Sequence, residues 1–279
     1  MRIKDTRATV LTIIRYLLLC IGAFIMLFPF IYMVLSSLKT AYESTAIPPV
    51  WFPASPQWSN YDYAWNLKPF LLYFRNTLIV CTISVTGTLL FSILGAFAFT
   101  IYDFPCKNFL FILFMLTMMV PEEMLIIQNY ETVADLGLLN TFLGIALPSL
   151  ANGFYIFMLR EYFTQVPSSL FKSAKVDCCS DFKYLWKVMI PMNKNAIFTI
   201  AILAFIGQWN AFMWPNMVAG NSDDHKVITS GLMTFRAMAS ANYHYLMAAA
   251  CITVLPMIIF YAIFHKKIIA GVASGGIKG

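Results

Sequence analysis

The chain has 279 residues, of which 60% are hydrophobic and 11% charged, and its net charge is +6. Soluble domains carry about 25% charged residues, so the apolar excess is more than one core of this length can bury, and a soluble enzyme, a disordered chain and a coiled coil are excluded. What remains is an all-α polytopic membrane protein, whose scattered basic residues read as an orientation signal rather than a nucleic-acid footprint.

A bilayer-crossing helix needs about 20 apolar residues. Low-charge stretches predict six spans, at about 16–38, 76–102, 108–129, 136–159, 195–216 and 245–264. The whole chain, 1–279, reads as one transmembrane domain. Arg2, Lys4, Arg7 and Arg15 precede the first span. Its apolar run is too long for a signal peptide and no A-x-A site follows, so it reads as an uncleaved helix. Loop 39–75 carries Trp51, Trp58, Tyr61, Tyr63 and Trp65 among prolines, a composition suited to the headgroup level. In the second span Ser84, Thr88, Ser92, Ala96 and Thr100 recur every fourth residue, a stripe that lets another helix approach. The third span is the least pure, interrupted by Pro121, Glu122 and Glu123. Pro121, Pro148 and Pro256 are expected to kink their helices.

With the N-terminus in the cytoplasm, 14 basic residues fall inside and 5 outside, as the positive-inside rule requires. An even span count returns the C-terminus to the same side. Three of the six cysteines, Cys20, Cys81 and Cys251, lie in apolar blocks, and adjacent Cys178 and Cys179 suit neither a chelating pair nor an easy disulfide. No metal site and no disulfide framework is read.

The inner loop 160–194 carries six basic and three acidic residues and is longer than two neighbouring helices require. Pro167 and Ser168 lead into a short amphipathic helix with Ser169 as its expected N-cap. A second amphipathic turn holds Phe182, Leu185, Trp186 and Val188 and stops at Pro191. Such helices suit either lipid headgroups or a groove on a soluble protein.

The stretch Lys172-Ser173-Ala174-Lys175-Val176-Asp177-Cys178, then nine residues, then Val188-Met189-Ile190-Pro191, resembles the EAA loop of ABC importer permeases, with matched spacing. Ala174, Asp177 and Pro191 agree; Lys172 replaces Glu, Ser173 replaces Ala and Cys178 replaces Gly. Elsewhere Phe28-Pro29-Phe30 through Lys39, Asn60-Tyr61 with Trp65, Phe74-Arg75-Asn76-Thr77, 136–141 (LGLLNT), Trp209-Asn210 and the terminal Gly275-Gly276-Ile277-Lys278-Gly279 are similar to maltose-type carbohydrate permeases, in the same order.

The resemblance implies a six-helix permease, one of two that form the pore of a heteromeric importer in a bacterial or archaeal inner membrane. Its other partners would be two cytoplasmic ATPase subunits and an extracytoplasmic solute-binding protein. The chain contains no G-x-x-x-x-G-K-[ST] motif, so the ATP and Mg would be used by the ATPase subunits, and this chain would bind no cofactor and be no enzyme. The loop residues Ser169, Lys172, Ser173, Ala174, Asp177, Cys178 and Pro191 would form the coupling helix and its turn. The groove opposite Lys172 would offer an acidic or neutral contact, because Lys reverses the family's charge there.

For the pathway, Glu122 and Glu123 either face a cavity or lie in the outer interface. Gln128, Asn152, Tyr155, Trp209 and Asn210 supply the amide, hydroxyl and aromatic groups that suit a sugar ring, although such groups more often join helices. The expected function is import of a sugar or oligosaccharide. A phosphorylated polyol or charged sugar is the alternative cargo, and a secondary transporter the alternative class.

Overall fold

The computed structural model describes residues 6–276. Helices account for its architecture, and no strand occurs among the described residues. Three helices are long and apolar enough to cross a membrane unbroken: Val10–Ser37, Phe70–Ile101 and Asn242–Lys266. Three further pairs qualify together but are bent: Lys107–Thr117 with Glu122–Asp135 by 87°, Phe142–Ser149 with Gly153–Phe163 by 52°, and Asp181–Met192 with Lys194–Asn210 by 81°. Counting each bent pair once gives the six predicted spans.

The chain divides into two compact units, 1–69 with 232–258, and 70–231 with 259–279. In the first unit, α1 (Thr6–Ser37) is followed by α2 (Ala41–Thr45) and α3 (Ser59–Leu67). The apolar window of α1 is wholly unburied, so its side chains seek lipid or another chain. A helix ends with four carbonyls lacking intrahelical partners. The Asn60 side chain donates to the carbonyls of Ser37 (2.8 Å) and Lys39 (2.9 Å), and the Gln57 N–H donates to that of Leu38 (2.9 Å). Tyr61 adds a 2.6 Å bond to the Ser37 hydroxyl. The Asn60-Tyr61 pair therefore closes the C-terminal end of α1. Thr40 and Glu43 form a capping box at α2. The Thr40 and Ala54 N–H groups both donate to the Glu43 carboxylate and hold it below the usual carboxylate range.

The second unit is built on α4 (Phe70–Ile101), against which α7 (Phe142–Ala146), α8 (Gly153–Phe163) and α12 (Lys194–Asn210) pack. Ser84, Thr88, Ser92 and Ala96 are buried along one face of α4. Gly95 on the same side leaves room for Ile156, which would stand 3.3 Å from an added Cβ. The small stripe thus packs helices, as its spacing predicts. Thr88 also donates 2.8 Å to the Ser149 carbonyl, a group exposed where Leu147–Ser149 tightens into a 3-10 turn around Pro148. Within a bilayer such a freed carbonyl needs a protein partner.

Near the N-terminal end of α4, Asn76 donates to the carbonyls of Asp224 (2.8 Å) and Lys226 (3.0 Å), and Thr77 accepts the Ile228 N–H (2.9 Å). These bonds seat the 223–228 segment on α4. The 136–141 turn has Gly137 and Asn140 in the left-handed region, and the Thr141 hydroxyl caps α7 through the Gly144 N–H at 3.0 Å.

The predicted boundaries shift where the backbone breaks. The third span divides into α5 (Lys107–Thr117) and α6 (Ile126–Asp135), with a 3-10 turn Glu122–Leu125 after Pro121. The fifth ends at Asn210, not 216; α13 (Met213–Val218) follows, and the Ala211 carbonyl is taken by the Thr229 hydroxyl at 2.6 Å. The last helix, α14 (Ile228–Gly276), breaks its helical geometry at Asn242, and Pro256 lies inside it. Ile277, Lys278 and Gly279 of the terminal motif lie outside the described residues.

Candidate functional site

The loop 160–194 folds as a docked hairpin. It comprises α9 (Ser168–Val176), α10 (Asp181–Tyr184), a π turn (Leu185–Met189) and α11 (Ile190–Met192). The expected cap is displaced: the N-cap position is Pro167, which has no side-chain acceptor, and Ser169 sits inside the first turn. Ser180 is the capping serine, its hydroxyl accepting the Lys183 N–H at 3.3 Å. A serine followed at once by Asp181 in a first turn is a legible signal for it.

The turn between α9 and α10 explains the spacing of the motif. The Cys178 N–H bonds to the Lys175 carbonyl (3.1 Å) and the Cys179 N–H to that of Ala174 (2.9 Å). This is a Schellman closure, which places a left-handed residue just past the helix. Cys178 is that residue, at φ 53°. Glycine suits the position because it has no Cβ, and an L-residue costs about 1 kcal/mol there.

Side chains hold the hairpin shut. Lys175 forms an ion pair with Asp181, and the Tyr102 hydroxyl donates 3.0 Å to the same carboxylate. The Lys175 ammonium, hydrogen-bonded to it, holds the Asp181 carboxyl below the usual range, and Asp181 in turn raises Lys175. The rings of Phe171 and Tyr184 meet edge to face at 5.1 Å. Tyr184, Leu185 and Met189 are buried with Phe97, Leu159 and Ile200, while Phe171 and Ala174 pack at the margin. Lys172, Ser173, Asp177, Cys178 and Pro191 are exposed. The hairpin therefore has one face committed to α4, α8 and α12, and one face free.

The pathway candidates do not form one cluster. Glu122, Glu123 and Gln128 are exposed at and just beyond the 87° bend. Tyr155 is half-buried on α8. Asn152 caps α8, its side-chain oxygen accepting the Phe154 N–H at 2.9 Å. Trp209 is buried and packs against Phe205, at 5.7 Å between ring centroids, whereas Asn210 is exposed at the end of α12.

One feature is missing from the predicted set. A cleft of about 290 Å³ lies between α4, α12 and α14, lined by Thr82, Thr86, Phe198, Phe205, Phe260 and Phe264 among others. Its signal was diffuse, because threonines and phenylalanines also suit ordinary helix packing.

The family described as "Binding-protein-dependent transport system inner membrane component" matches residues 79–273. The arabinooligosaccharides transport system permease protein AraQ of Halalkalibacterium halodurans is 30% identical over 260 residues, covering 92% of this chain and 93% of its own. The sn-glycerol-3-phosphate transport system permease protein UgpE of Yersinia pestis is 27% identical over 273 residues, covering 95% and 96%. A solved structure of a bacterial ABC transporter involved in import of the acidic polysaccharide alginate contains a chain of the same fold, with TM-score 0.81, 24% identity and coverage of 95% and 99%. This chain is a multi-pass membrane protein of the binding-protein-dependent transport system inner membrane component family, the permeases of ABC importers.

Proposed function

We propose that the chain is one of two permease subunits of an ABC importer for a sugar or oligosaccharide. The near-full-length match to an arabinooligosaccharide permease carries this reading. In it, a second permease completes the pore, two cytoplasmic ATPase subunits use ATP and Mg, and an extracytoplasmic binding protein delivers cargo. The chain itself binds no cofactor and catalyses no reaction. Both termini are cytoplasmic, in keeping with the 14 basic residues assigned to that side.

The mechanism follows from the hairpin. Closure of the ATPase pair displaces α9, whose free face presents Lys172, Ser173 and Asp177. The Schellman turn, the Lys175–Asp181 pair and the Phe171–Tyr184 contact make α9 and α10 move together. Because Tyr184, Leu185 and Met189 are packed against α4, α8 and α12, that displacement reaches the spans and alternates access to the pore. A close-packed core transmits such a shift rather than absorbing it.

An anionic polyol phosphate is the second reading. The UgpE similarity favours it, as does Arg75, which lines a cleft of about 330 Å³ on α4 with Leu78, Ile79, Thr82 and Ile83. Co-purification of the tagged chain in mild detergent is expected to recover a second permease and an ATPase. Stimulation of ATP hydrolysis in that complex by neutral oligosaccharide with binding protein supports the first reading. Stimulation by glycerol phosphate alone selects the second, and recovery of the chain without partners removes both.

A further inference from the structure

The segment Asp181–Met192 runs at 81° to the helix Lys194–Asn210 that it feeds. A span directed across the bilayer therefore has this segment lying along the inner surface. Its side chains divide into three stripes. Tyr184, Leu185 and Met189 are buried in the helical core. Phe182 and Trp186, one turn apart, are 63% and 54% exposed and pair edge to face at 6.0 Å. Lys183 and Lys187, also one turn apart, are exposed on the far side of that aromatic pair, and no ion pair joins either to another described residue.

Moving round the segment away from the core, the order is apolar, aromatic, cationic. A bilayer surface has the same order, from acyl chains through the interfacial belt to headgroup phosphates. We infer that the Phe182/Trp186 and Lys183/Lys187 stripes bind the anionic headgroup layer of the inner leaflet, leaving α9 as the protein-facing part of the loop. Two aromatic rings supply the interfacial contact, and their lysine neighbours reach phosphate while their alkyl stems stay against the rings. Each lysine held near an anionic surface contributes enough to change the local preference several-fold. The inference concerns the loop's surroundings and is independent of cargo; only the role left to α9 rests on the proposed coupling function.

The test uses the full chain assembled with its co-purifying subunits, in nanodiscs of phosphatidylcholine mixed with phosphatidylglycerol. A photoreactive benzoylphenylalanine replaces Trp186, and the adduct formed on irradiation is identified by mass. The expected adduct is lipid, enriched in phosphatidylglycerol over the bulk mixture. The further changes Lys183→Gln and Lys187→Gln should lower that enrichment on the order of tenfold; both sites are exposed, so folding is preserved. A polypeptide adduct at position 186, an unenriched lipid adduct, or no adduct at all overturns the proposal. The same probe at Val176 on α9 separates this result from the coupling reading: a polypeptide adduct there fits the division of the loop, and a lipid adduct there overturns it.

Discussion

The Lys175 ammonium and the Asp181 carboxylate pair across the turn between α9 and α10, and the Tyr102 hydroxyl completes the carboxylate's set at 3.0 Å. The carboxylate thereby joins the exposed helix, the docked helix and the residue that follows α4. We predict that Asp181→Asn lowers coupled transport several-fold while the complex still assembles. Transport and ATP hydrolysis measured in the same proteoliposomes check this. Equal loss of assembly would assign the pair to folding instead.

The pH dependence has a definite sign. Asp181 is held below its ordinary 3.8, so its contribution is present above that value and is lost as pH falls through its lower folded-state pKa. Lys175 is held above its ordinary 10.5, so its contribution is present below that value and is lost as pH rises through its higher folded-state pKa. Coupling that depends on this pair should be flat between about pH 5 and pH 9. A pair-dependent step within that range, absent from the Asp181→Asn variant, would contradict the assignment.

Cys178 occupies a left-handed position at φ 53°. Cys178→Gly should stabilise the hairpin by about 1 kcal/mol, and Cys178→Val should destabilise it by about 1–2 kcal/mol, since a β-branched residue fits that conformation worst. Thermal unfolding of the detergent-purified complex reads both. Unchanged midpoints would show that the turn relaxes in the assembled state.

Asn76 satisfies two backbone carbonyls 148 and 150 positions away in the chain. Asn76→Ala leaves both without their donor in a part-buried site, at a cost of about 1 kcal/mol. Protease accessibility at 221–226 should rise in that variant, and wild-type accessibility would argue that water replaces the amide.

The spans were legible because lipid selects long apolar runs, and the stripe from Ser84 to Ala96 was legible because helix packing has a fixed period. The breaks were only half visible. Pro121 and Pro148 mark two of them, but Pro256 lies inside a helix whose geometry breaks at Asn242. A proline removes one donor, and only the surrounding partners decide whether the helix yields. Ser169 and Ser180 show the same limit at the loop: either could cap by type, and the docking of Tyr184 and Leu185 sets where the second helix starts. Asn60 and Asn76 were visible as motif letters, yet their work is to satisfy carbonyls far away in the chain, which local spacing cannot display.

The right angle at Asn193 gives the loop 160–194 a mechanical property of its own. The Asn193 amide bonds to the Met189 carbonyl at 2.9 Å, and its own N–H reaches the Met189 and Ile190 carbonyls. The Asn193 carbonyl accepts the Ile197 N–H at 3.0 Å, so the corner is braced from both sides, and under the proposed function Asp181–Met192 with Lys194–Asn210 would act as a bell crank. Under the proposed function, a sideways push in the plane of the membrane would emerge as a tilt of α12, so a lateral approach of the two ATPase subunits would rock a span without either entering the bilayer.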